Sequence, residues 1–127
     1  MKPIALITIL SMLSLPAHAD TWLCIGEQQS FMAGSPNGIN DPAIGVSNNK
    51  YTVGDDGVKQ FGESGPFMTD CGKDERNLMI CKYSLGGVEA VFHMNEQFVF
   101  MLITKGVYIG DGSQSVMVEM GRCSKID

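Results

Sequence analysis

Alternating apolar and polar side chains in the C-terminal half of the chain predict β-strands. In Val88–Met94 the apolar positions 88, 90, 92 and 94 fall on one side, while Glu89 and His93 fall on the other. This period of two is typical of a strand with one buried and one solvent-facing side. Ser115–Cys123 alternates in the same way and places Glu119 on the solvent-facing side. We therefore expect two half-buried strands in this half of the chain.

The segment Gln97–Lys105 differs because both of its sides are apolar. Three apolar residues face each way: Phe98, Phe100 and Leu102 on one side, and Val99, Met101 and Ile103 on the other. The second side needs a cover, either the glycine-rich segment 26–49 or a partner. Covering by the protein itself is the commoner arrangement.

Residues 26–49 are rich in glycine, proline and asparagine, which favour loops and turns. The sequence predicts a long loop here, with helical turns at Glu27–Ala33 and from Asp41-Pro42. A loop of this length inside a compact domain is unusual and is often functional. Elsewhere, short apolar runs bounded by turn signals predict further strands at Thr21–Ile25, Lys50–Val53, Val58–Phe61 and Asn77–Ser84.

The predicted strands and the turns between them indicate an all-β or β-dominated fold. Leu85–Gly87 and Asn95-Glu96 have the composition of tight turns, so successive strands form an antiparallel C-terminal meander. The chain of 127 residues leaves no room for a second domain. We expect a small antiparallel barrel or sandwich of six to eight strands, closed by two disulfides.

The N-terminus has the pattern of a secretory signal peptide. Lys2 supplies a positive start, Ile4–Leu15 is apolar, and Ala17 and Ala19 are the small residues that signal peptidase requires. The apolar run has twelve residues, whereas a membrane-spanning helix needs roughly twenty. We therefore expect cleavage after Ala19 and no membrane anchor afterwards. A single domain over residues 20–127 would then be periplasmic or secreted.

The chain is acidic. The full sequence has a net charge of -5, and residues 20–127 alone carry eight basic and fourteen acidic side chains, a net charge of -6. This balance argues against a nucleic-acid partner. An acidic surface instead favours a basic protein partner through electrostatic steering.

The four cysteines indicate a disulfide framework, because they lie in a small chain with an export signal. Three pairings are possible. We favour Cys71–Cys81, because the ten positions of turn-rich chain between them can bring the two residues together. That choice leaves Cys24–Cys123, which joins the first and last strands. No cysteine pair has the spacing of a zinc site, so no metal is expected.

Few residues offer catalytic chemistry. His93 is the one histidine within residues 20–127, and Glu89 precedes it by four positions on the same predicted solvent-facing side. A lone histidine there is more often a solvated surface group than a catalyst. The sequence also lacks the glycine motifs that bind nucleotides. We therefore expect a non-catalytic protein without a cofactor and keep an enzyme that uses Glu89 and His93 as a third alternative.

Both ends of this region resemble those of a group of small exported proteins. Thr21-Trp22-Leu23-Cys24-Ile25 fits a Trp-x-Cys start, and Val118-Glu119-Met120-Gly121-Arg122-Cys123-Ser124 fits a Gly-Lys/Arg-Cys-Ser end. Phe92–Ile109 is similar to the penultimate hairpin of these proteins. They are uncharacterised exported proteins of Gram-negative bacteria with a central cysteine pair. The resemblance implies export and supports the Cys24–Cys123 pairing, and it implies no activity or site.

These observations favour an exported, non-catalytic protein-binding module of the inhibitor or immunity type. Its candidate binding residues are the apolar side chains within the polar segment 26–49, namely Phe31, Met32 and Ile39. A competing interpretation is that they anchor this segment onto Gln97–Lys105. The alternative function is a small barrel that binds an apolar ligand. Its cavity would be lined by Phe92, Phe98, Phe100 and Met101.

Overall fold

A computed structural model describes residues 20–107 and 112–126. The predicted signal peptide over residues 1–19 therefore lies outside the described residues, as do residues 108–111 of the predicted connection before the last strand. The described residues form ten β-strands and contain no helix. The strands are β1 (Trp22–Ser35), β2 (Gly38–Ile39), β3 (Ala43–Val46), β4 (Lys50–Gly54), β5 (Gly57–Gln60), β6 (Asp70–Lys73), β7 (Met79–Leu85), β8 (Val88–Met94), β9 (Val99–Val107) and β10 (Gln114–Lys125).

Eight of these strands form one antiparallel sheet that curls into a nearly closed barrel. Their order is β5-β4-β1-β10-β9-β8-β7-β6, and the short strands β2 and β3 both pair with β1. A bridge between Val58 in β5 and Met68, just before β6, brings the two ends of the sheet together. The predicted all-β antiparallel fold and its C-terminal meander are confirmed. The strand count differs, because the described residues contain ten strands where we expected six to eight.

The core consists of side chains that point into the barrel. In β8 the residues at alternate positions 90, 92 and 94 are buried, as the sequence pattern predicts. The rings of Phe92 and Phe100 stack with centroids 5.4 Å apart, and Tyr51 meets Phe100 edge-on at 5.8 Å. Val53, Val58 and Met68 are completely buried beside them. Each such apolar side chain stabilises the fold by about 1.5–3 kcal/mol.

Both predicted disulfides are confirmed. Cys24 and Cys123 lie directly opposite each other in β1 and β10, and Cys71 and Cys81 do so in β6 and β7. Two disulfides fit an oxidising compartment outside the cytoplasm.

The prediction of a long loop with helical turns over residues 26–49 is wrong. Strand β1 continues to Ser35. It pairs with β10 from Trp22 to Gly34, and its second half pairs with β2 and β3 on the other side. A bulge between Gly26 and Gln28 marks the point where β1 changes its neighbour from β4 to β3. Hydrogen bonding to neighbours on both sides holds this polar segment extended, and that outweighs its weak intrinsic preference for strands.

The segment 26–49 also does not cover the second side of β9. Its strands lie beside β10 in the same sheet, so they extend that surface and do not fold over it. The interpretation that Phe31, Met32 and Ile39 anchor this segment on Gln97–Lys105 is therefore wrong. Among the described residues, the second side of β9 belongs to an open sheet face.

The predicted orientation of β10 is also wrong at its centre. Glu119, which we expected on the solvent-facing side, is completely buried, whereas Met120 is 45% exposed. The register explains the reversal: Glu119 pairs with Leu102 of β9, which points into the barrel, and paired residues share a side.

Candidate functional site

The outward side chains of five neighbouring strands form one apolar surface. The register connects Val91, Ile103 and Val118 in a row across β8, β9 and β10, and Ser30 of β1 continues the row to Ile44 of β3. Parallel rows on either side add further apolar residues, with Gln28 of β1 between Met120 and Val46. We call this surface the outer apolar face; its apolar members are Met32, Ile44, Val46, Val91, Met101, Ile103, Val116, Val118 and Met120.

The outer apolar face is open at the edge formed by β3. Ile44 and Val46 are 81% and 75% exposed, and Met32 and Met120 are nearly half exposed. Single exposed apolar residues are ordinary, whereas a contiguous set across several strands is typical of an interaction surface. Exposed ion pairs flank the face: Lys105 Nζ lies 2.7 Å from Glu89 Oε2, and Arg122 Nε lies 3.6 Å from Glu27 Oε2.

The structure separates the three predicted binding residues into two groups. Met32 lies on the outer apolar face, and Ile39 lies on the same side because it pairs with Gly34, two positions along β1. Phe31 points to the other side of the sheet, where it pairs with Met117 and is 44% exposed. Met32 and Ile39 can therefore contact one partner surface together, and Phe31 cannot join them.

A buried carboxylate lies at the point where β1 changes neighbour. Ser47 Oγ and Asn49 Nδ2 donate hydrogen bonds to Glu119 Oε2, the latter over 2.9 Å, and the Tyr51 hydroxyl donates to Glu119 Oε1 over 2.5 Å. Three donors satisfy the carboxylate without a cation. Because Glu119 is inaccessible, it ties the chain between β3 and β4 to β10 and contacts nothing outside the fold.

Two neighbours of this carboxylate are constrained by it. A Cβ atom on Gly26 would lie 2.5 Å from Ser47 Oγ and 2.7 Å from Glu119 Oε2, so only glycine fits there. Burial raises the pKa of Tyr51, and the hydrogen bond to Glu119 and the charge of that carboxylate raise it further. Tyr51 is consequently a neutral donor at physiological pH.

The structure does not bring Glu89 and His93 together. His93 Nε2 lies 3.1 Å from Asp74 Oδ2, whereas Glu89 pairs with Lys105. Asp74 Oδ1 also accepts hydrogen bonds from the backbone N–H groups of Arg76 and Leu78. The bond from Leu78, followed by that from His93, holds the pKa of Asp74 below its usual range. His93 and Asp74 together fasten a hairpin loop, and the proposed Glu89–His93 pair is not formed.

The four residues of the predicted apolar cavity also do not line one space. Phe92 and Phe100 fill the core, Met101 points to the outer apolar face, and Phe98 is 45% exposed at one end of the barrel. The predicted strand Gln97–Lys105 in fact begins at Val99, because Phe98 adopts a positive φ of 60° that breaks the alternation.

An open cleft of about 570 Å³ lies at the end of the barrel where Phe98 is exposed. Its walls are mostly apolar and comprise Trp22, Val53, Leu78, Met79, Met94 and Phe98. Its rim is polar and comprises Asp20, Asp55, Lys73, Asn77, Asn95 and Glu96. The rings of Trp22 and Phe98 stack with centroids 4.7 Å apart. We call this site the end cleft.

Two hairpin loops with the same backbone border the end cleft. In the loop from Asp74 to Leu78, the first residue donates its N–H to the carbonyl of the fifth, and the fourth donates to the carbonyl of the first. The loop from Asn95 to Val99 repeats both bonds. In each loop the first side chain accepts from the N–H groups of the third and fifth residues. The fourth residues, Asn77 and Phe98, have φ values of 63° and 60°.

Sequence reasoning missed the end cleft. The sequence predicts the turn at Asn95-Glu96. The left-handed residue near the end of such a loop is usually glycine or asparagine, so Phe98 did not indicate a left-handed position. A useful signal was present in the pair Asp74-Glu75-Arg76-Asn77-Leu78 and Asn95-Glu96-Gln97-Phe98-Val99. Each begins with a residue that caps its own turn, and only the first has a residue suited to its fourth position.

Comparison with known proteins gives no match: the chain matches no family model, no curated protein and no solved structure. In residues 20–107 and 112–126, no group of three histidine, cysteine or acidic side chains is placed to hold a metal ion. Those residues also include no helix that is long and apolar enough to span a membrane. The function is therefore inferred from the outer apolar face and the end cleft.

Proposed function

We propose that this chain is an exported, non-catalytic protein-binding module of the inhibitor or immunity type. It binds a basic protein partner through the outer apolar face, in the periplasm or outside the cell, after removal of residues 1–19. The single observation that carries this proposal is the apolar surface across β8, β9 and β10, which continues past Gln28 and Ser30 of β1 to Ile44 and Val46 of β3 and which the segment 26–49 does not cover. The two disulfides support the exported location.

The composition of the face supports a protein partner. Its centre is apolar, and its ion pairs at the margins are of both signs, an arrangement that resembles the core and rim of protein–protein interfaces. The barrel beneath it is filled and cross-linked, so binding requires little ordering of the face. The net charge of -6 on residues 20–127, from eight basic and fourteen acidic side chains, steers positively charged proteins toward this domain.

A paired substitution on the edge strand tests the proposal. In Ile44→Lys/Val46→Lys, two charges replace the most exposed side chains of the face, so the fold should persist because neither residue is in the core. Leu85→Lys is the matched control, since Leu85 is 67% exposed but points to the opposite side of the sheet. The immobilised exported protein is used to capture a partner from periplasmic extract, and the purified partner is then titrated by calorimetry.

We expect one basic partner that binds the wild type and Leu85→Lys equally and the double variant at least about 10-fold more weakly. High salt should slow association without abolishing the complex, because the contact is apolar and only the steering is electrostatic. Failure to find a basic partner, or equal binding by both lysine variants, would contradict the proposal.

A further inference from the structure

The end cleft is separate from the outer apolar face and has its own chemistry. Its volume of about 570 Å³ lies within the range of small-molecule and side-chain binding sites. Buried Val53 and Met94 form part of its floor, and half-buried Trp22 and exposed Phe98 form an aromatic wall. The site therefore offers apolar contact to a slender ligand and an aromatic surface at its opening.

Phe98 presents an exposed ring from a backbone position with a positive φ, which does not favour phenylalanine. The matching position in the neighbouring loop is Asn77, a residue suited to a positive φ. Phe98 stacks on Trp22 at an interplanar angle of 20°, so each ring covers one face of the other and keeps its outer face free of that contact. Aromatic faces attract cations as well as apolar groups.

The charge at the rim favours a cation. Asp55 and Glu96 are exposed carboxylates on two different loops of the rim, and Lys73 is the one basic residue among the lining side chains described. A third acid, Asp20, contacts Lys125 at 2.9 Å. Carboxylates beside an aromatic wall and an apolar floor match a positive group on an aliphatic stem.

We propose that the end cleft binds an alkylammonium or guanidinium group, either the side chain of a lysine or arginine in a peptide or a free aliphatic amine. The aliphatic stem contacts the floor, and the cation lies at the Trp22–Phe98 wall within reach of Asp55 and Glu96. This site does not depend on the outer apolar face, so a negative result for one proposal does not contradict the other.

The test uses Trp22, the single tryptophan of the chain, as a reporter inside the cleft. N-acetyl-lysine amide, N-acetyl-norleucine amide and pentylamine are titrated against the full exported protein, with Trp22 fluorescence and calorimetry as parallel readouts. We expect N-acetyl-lysine amide to saturate the site with a dissociation constant on the order of 1 mM. The uncharged norleucine compound should bind at least about 5-fold more weakly.

Variants locate the binding. Glu96→Gln should weaken binding of the lysine compound about 3- to 10-fold, whereas Glu75→Gln, the same change at the matching position of the other loop, should have no effect. Phe98→Asn, which copies Asn77, should weaken it about 5-fold without unfolding the protein. Ile44→Lys/Val46→Lys should leave it unchanged.

The relative affinity of the two charged probes assigns the source of the ligand. Tighter binding of N-acetyl-lysine amide indicates a peptide side chain, and equal or tighter binding of pentylamine indicates a free amine. Equal binding of the norleucine compound, equal losses in Glu96→Gln and Glu75→Gln, or no saturation by either charged probe would overturn the proposal.

Discussion

The two hairpin loops beside the end cleft share a backbone and differ in what they display. Asp74 and Asn95 each close their own loop with a side-chain oxygen that accepts two backbone N–H groups. The fourth residue contributes its backbone N–H to the loop, whereas its side chain takes no part in these bonds and differs between the loops. Asn77 suits its left-handed conformation, whereas Phe98 tolerates the same conformation at a cost of about 1–2 kcal/mol. The first residue therefore sets the backbone of the loop, while the fourth residue, which lines the end cleft in both loops, can differ.

The two hairpins also differ at their bases, and this gives the largest expected difference between them. The β6–β7 hairpin is closed by Cys71–Cys81, whereas the β8–β9 hairpin is held by core packing of Met94 and Phe100. Replacing both Cys71 and Cys81 by serine should lower the free energy of unfolding by about 3 kcal/mol. Amides of β6–β7 should then exchange much faster than those of β8–β9. Urea unfolding and hydrogen exchange measure both effects.

The control for this change is the double serine variant of Cys24 and Cys123. That disulfide closes a loop with a sequence separation of 99, against 10 for Cys71–Cys81. The longer loop should cost about 4.7 kcal/mol when opened, because more chain entropy is released in the unfolded state. Equal losses in the two variants would contradict the comparison.

Transplanting the phenylalanine between the loops should give a smaller effect. Asn77→Phe places the residue tolerated at position 98 into the matching position of the other loop. We expect a loss of about 1 kcal/mol in the free energy of unfolding. Asn77→Gly is the control and should be neutral or slightly stabilising, since glycine accepts a positive φ. If both variants are equally stable, the left-handed position imposes no penalty on phenylalanine.

The smallest expected effect depends on pH and separates Asp74 from Asn95. The pKa of Asp74 is lowered in the fold, so its contribution to stability is present above the ordinary aspartate pKa of about 3.9 and is lost as the pH falls below it. Asn95 does not titrate. Asp74→Asn copies Asn95, and its stability should therefore fall less than that of the wild type between about pH 5 and pH 2. Parallel pH profiles from thermal unfolding would refute this.

Local patterns in the sequence were sufficient for the hairpins of the C-terminal half. The alternation in Val88–Met94 places the correct residues in the core, and the turn signals fall between the correct strands. The disulfide pairing was also accessible, because Cys71 and Cys81 are close in the chain and their pairing leaves one choice for the other two.

Features that depend on distant residues were not accessible in this way. Glu119 can be buried because Ser47, Asn49 and Tyr51, about seventy positions away in sequence, donate hydrogen bonds to it. The residues around Glu119 in sequence do not indicate these donors. The second half of β1 is extended because it has neighbours on both sides, although its composition favours turns. The end cleft was missed for a third reason: Trp22 and Phe98 are far apart in sequence and meet because β10 pairs with β1 on one side and with β9 on the other.

The joint between β5 and the residues just before β6 has a consequence for local unfolding. At this joint, the backbone of Val58 hydrogen-bonds to the backbone of residues 67–68. Neither disulfide crosses the joint. Apart from that joint, the backbone of the β4–β5 hairpin pairs with the rest of the sheet through β1 alone. Local unfolding of the domain should therefore begin with detachment of the β4–β5 hairpin. This opening exposes one side of the aromatic core, while the disulfide-linked strands remain paired.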